Sequence, residues 1–99
     1  MRKNTRTRSL GGNPRFAPIA ERLIAARRAI GLEQTDFARG ARIAQNTYNQ
    51  YETGKRRPSL DNAIRLCKAY NLTLDWIYLD IPSGLSHKFW ADIREKRDP

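Results

Sequence analysis

The chain has 99 residues, with 19 Lys and Arg against 10 Asp and Glu, a net charge of +9 and an isoelectric point near 10.5. That length holds one domain with a modest core, and that charge suits a polyanionic partner such as nucleic acid. The single Cys67 and single His87 exclude a disulfide framework and a thiolate zinc cluster, and leave no nucleophile–base pair for catalysis.

The first sixteen residues, MRKNTRTRSLGGNPRF, carry Arg2, Lys3, Arg6, Arg8 and Arg15 and no acid. Gly11-Gly12 and Asn13-Pro14 oppose regular structure, so residues 1–16 read as a basic flexible tail. They lack the apolar core of a signal peptide, and no segment of the chain reaches membrane-spanning length. Two roles stay open for this tail: a solubilising leader, or an arm lying along DNA phosphates or in the minor groove.

A first helix begins at Pro18, a residue suited to a first helical turn, and carries the stripe Ile19, Leu23, Ala26 and Ile30 until Gly31 stops it. A second helix runs from about Gln34 to Ala41, with Phe37, Ala38 and Ala41 on one face. A tight turn falls at Arg42 and Ile43. The third helix runs from about Gln45 to Thr53, buries Tyr48 with Tyr51 or Glu52, and ends at Gly54, a good left-handed cap. Ser59 then caps a helix bearing Ala63, Ile64, Leu66, Cys67 and Tyr70, with Asp61 in its first turn and Asn71 near its end. Thr73 caps a last short helix from Leu74 to about Leu79, closed by Pro82. Five helices and no strand make the fold all-α. Phe37, Tyr48, Tyr51, Tyr70 and Trp76 read as core, although the hydroxyls of Tyr48 and Tyr51 could instead reach phosphates. Cys67 reads as a small buried apolar residue.

The outer face of the third helix is the informative one. Gln45, Asn46, Asn49 and Gln50 leave it with neither charge nor apolar side chain, whereas a solvated helix face is usually Lys and Glu. Amides carry a donor and an acceptor side by side, and Gln45 matches N6 and N7 of adenine in the major groove, with Asn46, Asn49 and Gln50 next in line. A plain polar surface is the alternative. Lys55, Arg56 and Arg57 follow the helix, placed to neutralise phosphates, unless they form only a solvated basic turn.

From Arg27 through Gly31-Leu32, Gln34, Phe37-Ala38, Ile43, Glu52-Thr53-Gly54-Lys55 and Pro58-Ser59-Leu60 to Leu74-Asp75-Trp76, the chain resembles the phage-repressor and Cro type of helix-turn-helix domain, the XRE family. The resemblance spans residues 17–79 and departs in two places. The family usually has Gly where this chain has Arg42, and Ser or Thr capping the recognition helix where this chain has Ala44. It implies a five-helix lambda-repressor-like domain over residues 17–81, flanked by the tail 1–16 and a C-terminal extension 82–99. It implies that Gln34 anchors its helix on a phosphate and that Arg27 and Glu52 form an ion pair across the interior; Thr47 in the third helix is a further candidate phosphate contact.

The expected function is a sequence-specific regulator of bacterial or phage origin that binds double-stranded operator DNA in the cytoplasm. It would be a repressor acting as a homodimer, needing no cofactor, metal or membrane. The dimer patch is expected among Trp76, Ile77, Leu79, Ile81, Leu85, Phe89, Trp90 and Ile93, unless the extension folds back over its own domain. The alternatives are an antitoxin that uses Phe89, Trp90 and Ile93 to hold a toxin, a restriction–modification controller protein, and a protein-bridging or RNA-binding module.

Overall fold

The computed structural model describes residues 12–97, and within them all the regular structure is helical. After a short 3₁₀ turn at Pro14–Phe16 come α1 (Ala17–Ile30), α2 (Gln34–Gly40), α3 (Gln45–Glu52), α4 (Leu60–Tyr70), α5 (Leu74–Leu79) and α6 (His87–Arg97). The five expected helices are joined by a sixth, in the C-terminal extension.

Local chemistry sets most of the ends. Gly31 closes α1 at φ 90°, a left-handed conformation that costs glycine little, and its N–H returns to the Arg27 carbonyl at 2.9 Å. Ser59 Oγ accepts from Asn62 N at 3.2 Å to cap α4, and Thr73 Oγ1 accepts from Trp76 N at 3.0 Å to cap α5. Asn71 and Asp80 end these two helices at φ 59° and 60°. Thus α5 stops at Asp80, before Pro82 is reached.

Leu23, Phe37, Tyr48, Leu66, Trp76, Ile77 and Ile93 are fully buried and form the centre of the core. Each such side chain contributes about 1.5–3 kcal/mol by leaving water. Phe37 ties the layers together: its ring stacks on Tyr70 at 4.2 Å and meets Tyr48 at 5.3 Å. Tyr70 also donates to the Phe37 carbonyl at 2.7 Å.

The C-terminal extension belongs to this core. Helix α6 lies against α1, Ile93 is fully buried and Leu85 nearly so. Arg97 reaches Asp80 at 3.4 Å and fastens α6 to the end of α5. Trp76, Ile77, Leu85 and Ile93 are therefore unavailable as a dimer patch, and Phe89 and Trp90 are half-buried against the core. A helix of six residues such as α5 cannot cover the outer side of α1 alone, and α6 completes that layer.

At the other end, the basic tail was expected to reach Phe16, but residues 12–16 are held by hydrogen bonds and a 3₁₀ turn, with Gly12 and Phe16 half-buried. Asn13 N donates to the Gly54 carbonyl at 2.8 Å, and Asn13 Oδ1 accepts from Arg15 N at 2.9 Å. A Cβ at position 12 would stand 2.5 Å from the Thr53 carbonyl oxygen, so this close approach requires glycine. The remainder of the expected tail lies outside the described residues.

Candidate nucleic-acid interface

Helices α2 and α3 meet at the turn the sequence marks. Arg42 takes φ 60°; its N–H donates to the Arg39 carbonyl at 3.0 Å, and that of Ile43 to the Ala38 carbonyl at 2.9 Å. Ala41 and Ile43 are buried beneath it, 3 % and 5 % exposed. Ala44 supplies no side-chain cap to α3, so the first N–H groups of that helix stay open. At the far end Gly54, at φ 76°, donates to Tyr51 O at 3.3 Å while Lys55 N donates to Gln50 O at 2.9 Å. This pair of bonds is a Schellman closure.

Beneath α3 lies a polar network centred on Glu52, whose side chain is 5 % exposed. Arg27 binds its carboxylate with two nitrogens, Nε at 2.8 Å and Nη2 at 3.1 Å. Tyr48 donates to it at 2.6 Å and Gln34 Nε2 at 3.2 Å, while Arg27 Nη1 reaches the Leu32 carbonyl at 3.1 Å. One carboxylate thus fixes α1, α2 and α3 to one another. The hydrogen bond to Glu52 raises the Arg27 pKa further and keeps the guanidinium charged. Burial, and then the neighbouring carboxylate, push the Tyr48 phenol far above its ordinary range, so it remains a donor.

Above the network the amide face is open. Gln45, Asn46 and Asn49 are exposed, and Gln50 and Thr47 are partly so. Among the described residues none of these five side chains makes a hydrogen bond within the protein, so their donors and acceptors face outward. Tyr48 and Tyr51 lie on the opposite, buried side. The Tyr51 hydroxyl accepts from Asn62 Nδ2 at 2.8 Å, which leaves the phosphate role considered for these two tyrosines without a free, exposed hydroxyl.

Lys55, Arg56 and Arg57 are exposed beyond Gly54 and make no ion pair among the described residues. The Arg57 guanidinium sits 5.0 Å above the Phe16 ring, a cation–π contact that holds Phe16 against this loop. Gln34, expected at a phosphate, spends one amide N–H on Glu52 and retains the second. Its place at the start of α2 sets it beside Glu52, at the C-terminal end of α3.

One buried polar residue was missed in the sequence. Arg22 is 6 % exposed and donates from Nε and Nη2 to the Ile77 carbonyl, at 3.0 and 2.9 Å. Burial lowers its pKa, offset in part by Asp80. The signal was present: Arg22 stands three residues after Ile19 and four before Ala26, on the apolar stripe itself. A charge at that register has to find a partner inside. Cys67 lies half-buried with its thiol pKa pushed up by burial, which lowers its reactivity.

Residues 23–77, more than half of the chain, match the family model described as helix-turn-helix. The chain belongs to this helix-turn-helix family. It is 30 % identical over 63 residues, covering 64 % of its own length and 57 % of the relative's, to the cryptic phage CTXphi transcriptional repressor RstR of Vibrio cholerae. A second RstR sequence, from the El Tor Inaba strain N16961, is 32 % identical over 57 residues, 58 % of this chain and 51 % of that protein. The chain thus spans a little over half the length of the curated relatives it matches. No solved structure matches it significantly. Helix-turn-helix proteins of this type are DNA-binding regulators.

Proposed function

We propose that this protein is a sequence-specific double-stranded-DNA-binding repressor that reads the major groove with Gln45, Asn46, Asn49 and Gln50. The observation that carries this reading is the uncharged amide face of α3, exposed without internal partners and held rigid from below by the Arg27–Glu52 pair. A base-reading surface needs free donors and acceptors on a support that does not move. Lys55, Arg56, Gln34 and Thr47 flank that face as phosphate contacts; Arg57 adds charge while it holds Phe16. Repression is the activity named for both curated relatives. DNA as ligand puts the protein in the bacterial cytoplasm.

Gln45→Ala tests the base-reading role. On a site selected from random duplex it should cost about 1–3 kcal/mol, with mixed-sequence DNA bound almost as before. Lys55→Ala should weaken both equally. Equal losses from Gln45→Ala on both duplexes would remove Gln45 from base recognition.

A homodimer forms part of this reading, because one such domain spans too few base pairs to select a site in a genome. Among the described residues three large apolar side chains remain exposed: Leu60 at 57 %, Leu79 at 65 % and Ile81 at 42 %. Leu60 and Leu79 line one cleft with Pro18 and Tyr78, next to the loop that follows α3. Two half-sites one turn of DNA apart require the two copies of α3 to stand about 34–36 Å apart, and a self-complementary contact at this cleft is the candidate for holding them. The toxin-binding alternative loses its element, since Ile93 is buried and Phe89 and Trp90 pack on the core.

A further inference from the structure

Arg42 stands in a conformation that its own side chain does not favour. Among the described residues three non-glycines have positive φ: Arg42, Asn71 and Asp80. Asn71 and Asp80 end helices, and short polar side chains are enriched in that conformation. Arginine has no such local compensation, and the strain is the kind that surrounding structure must impose.

The turn does not need the Arg42 guanidinium. Its backbone is fixed by Arg42 N to Arg39 O, by Ile43 N to Ala38 O, and by Arg65 Nη1, which donates to the Arg42 carbonyl at 2.9 Å. The Arg42 side chain is exposed and, among the described residues, makes neither an ion pair nor a hydrogen bond. Its neighbour Arg39 is instead paired with Asp36 at 2.9 Å. Nothing within the described protein repays the strain.

The side chain does face one feature. Arg42 lines a cleft of about 380 Å³ together with Thr35, Arg39 and Gln45, at the start of the amide face. Helix α3 itself carries no basic residue, so Lys55, Arg56 and Arg57 supply positive charge only beyond its C-terminal end. Eight residues of helix are about 12 Å long, comparable to the width of the major groove, whose two sides are walls of phosphate. A cation at the N-terminal end therefore meets phosphates that the Lys55–Arg57 loop cannot reach.

We propose that Arg42 is a second phosphate clamp, contacting DNA at the N-terminal side of the recognition helix opposite the Lys55–Arg57 loop. This rests on the reading of α3 as a major-groove element. Glycine at this position would give the turn without strain; arginine gives it a charge beside Gln45.

Arg42→Gly moves stability and affinity in opposite directions. Its melting temperature should rise by about 4 °C as the strain is released. Binding to the selected site and to mixed-sequence duplex should weaken alike, with the slope of log K against log salt reduced by about 0.9, or about eightfold at roughly 0.1 M salt. Arg42→Lys, which keeps both strain and charge, should restore most of the slope. Arg42→Gly with unchanged affinity and slope would overturn the clamp. So would a lowered melting temperature, which would mean that the side chain holds the turn, or a loss confined to the selected site. Wild-type protein that binds neither duplex would instead sink the DNA reading beneath it.

Discussion

Helices α3 and α6 both present a face that their sequences leave unexplained, and the fold treats them oppositely. On α3 the unexplained residues are amides, and the structure leaves Gln45, Asn46 and Asn49 exposed over a rigid base. On α6 they are apolar, and the structure turns Ile93 fully into the core with Phe89 and Trp90 half-buried beside it. The difference follows from solvation. Surplus apolar surface gains by being covered, and any nearby uncovered surface will do. Surplus amide surface loses nothing in water and remains outside. An uncharged polar face is thus the better pointer to a ligand, whereas the apolar surplus on α6 is only the missing part of a core.

The largest effect should come from the support beneath α3. Glu52→Ala strands Arg27 and removes the acceptor for Tyr48 and Gln34, and should cost about 3–5 kcal/mol in urea unfolding. A loss below about 1 kcal/mol would mean that the carboxylate is solvated and the comparison of the two helices is drawn in the wrong place.

Next comes the test of α6 as core. Ile93→Ala should destabilise the whole protein by about 2–5 kcal/mol in the same measurement, because it empties a fully buried site. Melting of α6 alone, with the rest of the transition unchanged, would return residues 82–97 to the status of an appendage.

The smallest effect on stability should come from the apolar surface that stays exposed. Leu79→Asp should change the unfolding free energy by less than about 0.5 kcal/mol. If Leu60 and Leu79 meet a second copy, the same change should convert the DNA-bound dimer to a monomer in light scattering, with a single half-site footprint. A wild-type protein that is already monomeric on DNA would end the dimer reading.

Much of this was legible in the chain. Gly31, Ser59, Asn71 and Thr73 mark helix ends through local hydrogen bonds or backbone conformation, which depend on neighbours in sequence and so can be read from it. The departures at Arg42 and Ala44 were legible too, since the turn and the uncapped helix start lie where those residues stand. The amide face needed only helical periodicity. Arg22 was readable in principle from its place on the stripe, but its partner was not: the Ile77 carbonyl lies 55 residues away.

What the sequence alone determined was therefore the first five helices, the position of the turn and the polarity of each face, because these arise from interactions within a few residues. Tertiary structure decided which faces are covered. It gave Glu52 four hydrogen bonds from three side chains, took the extension into the core, tied residues 12–16 to the loop after α3, and left Leu60, Leu79 and Ile81 bare. Burial is a competition among all apolar surfaces for the same limited interior, and its outcome depends on how distant helices fit together.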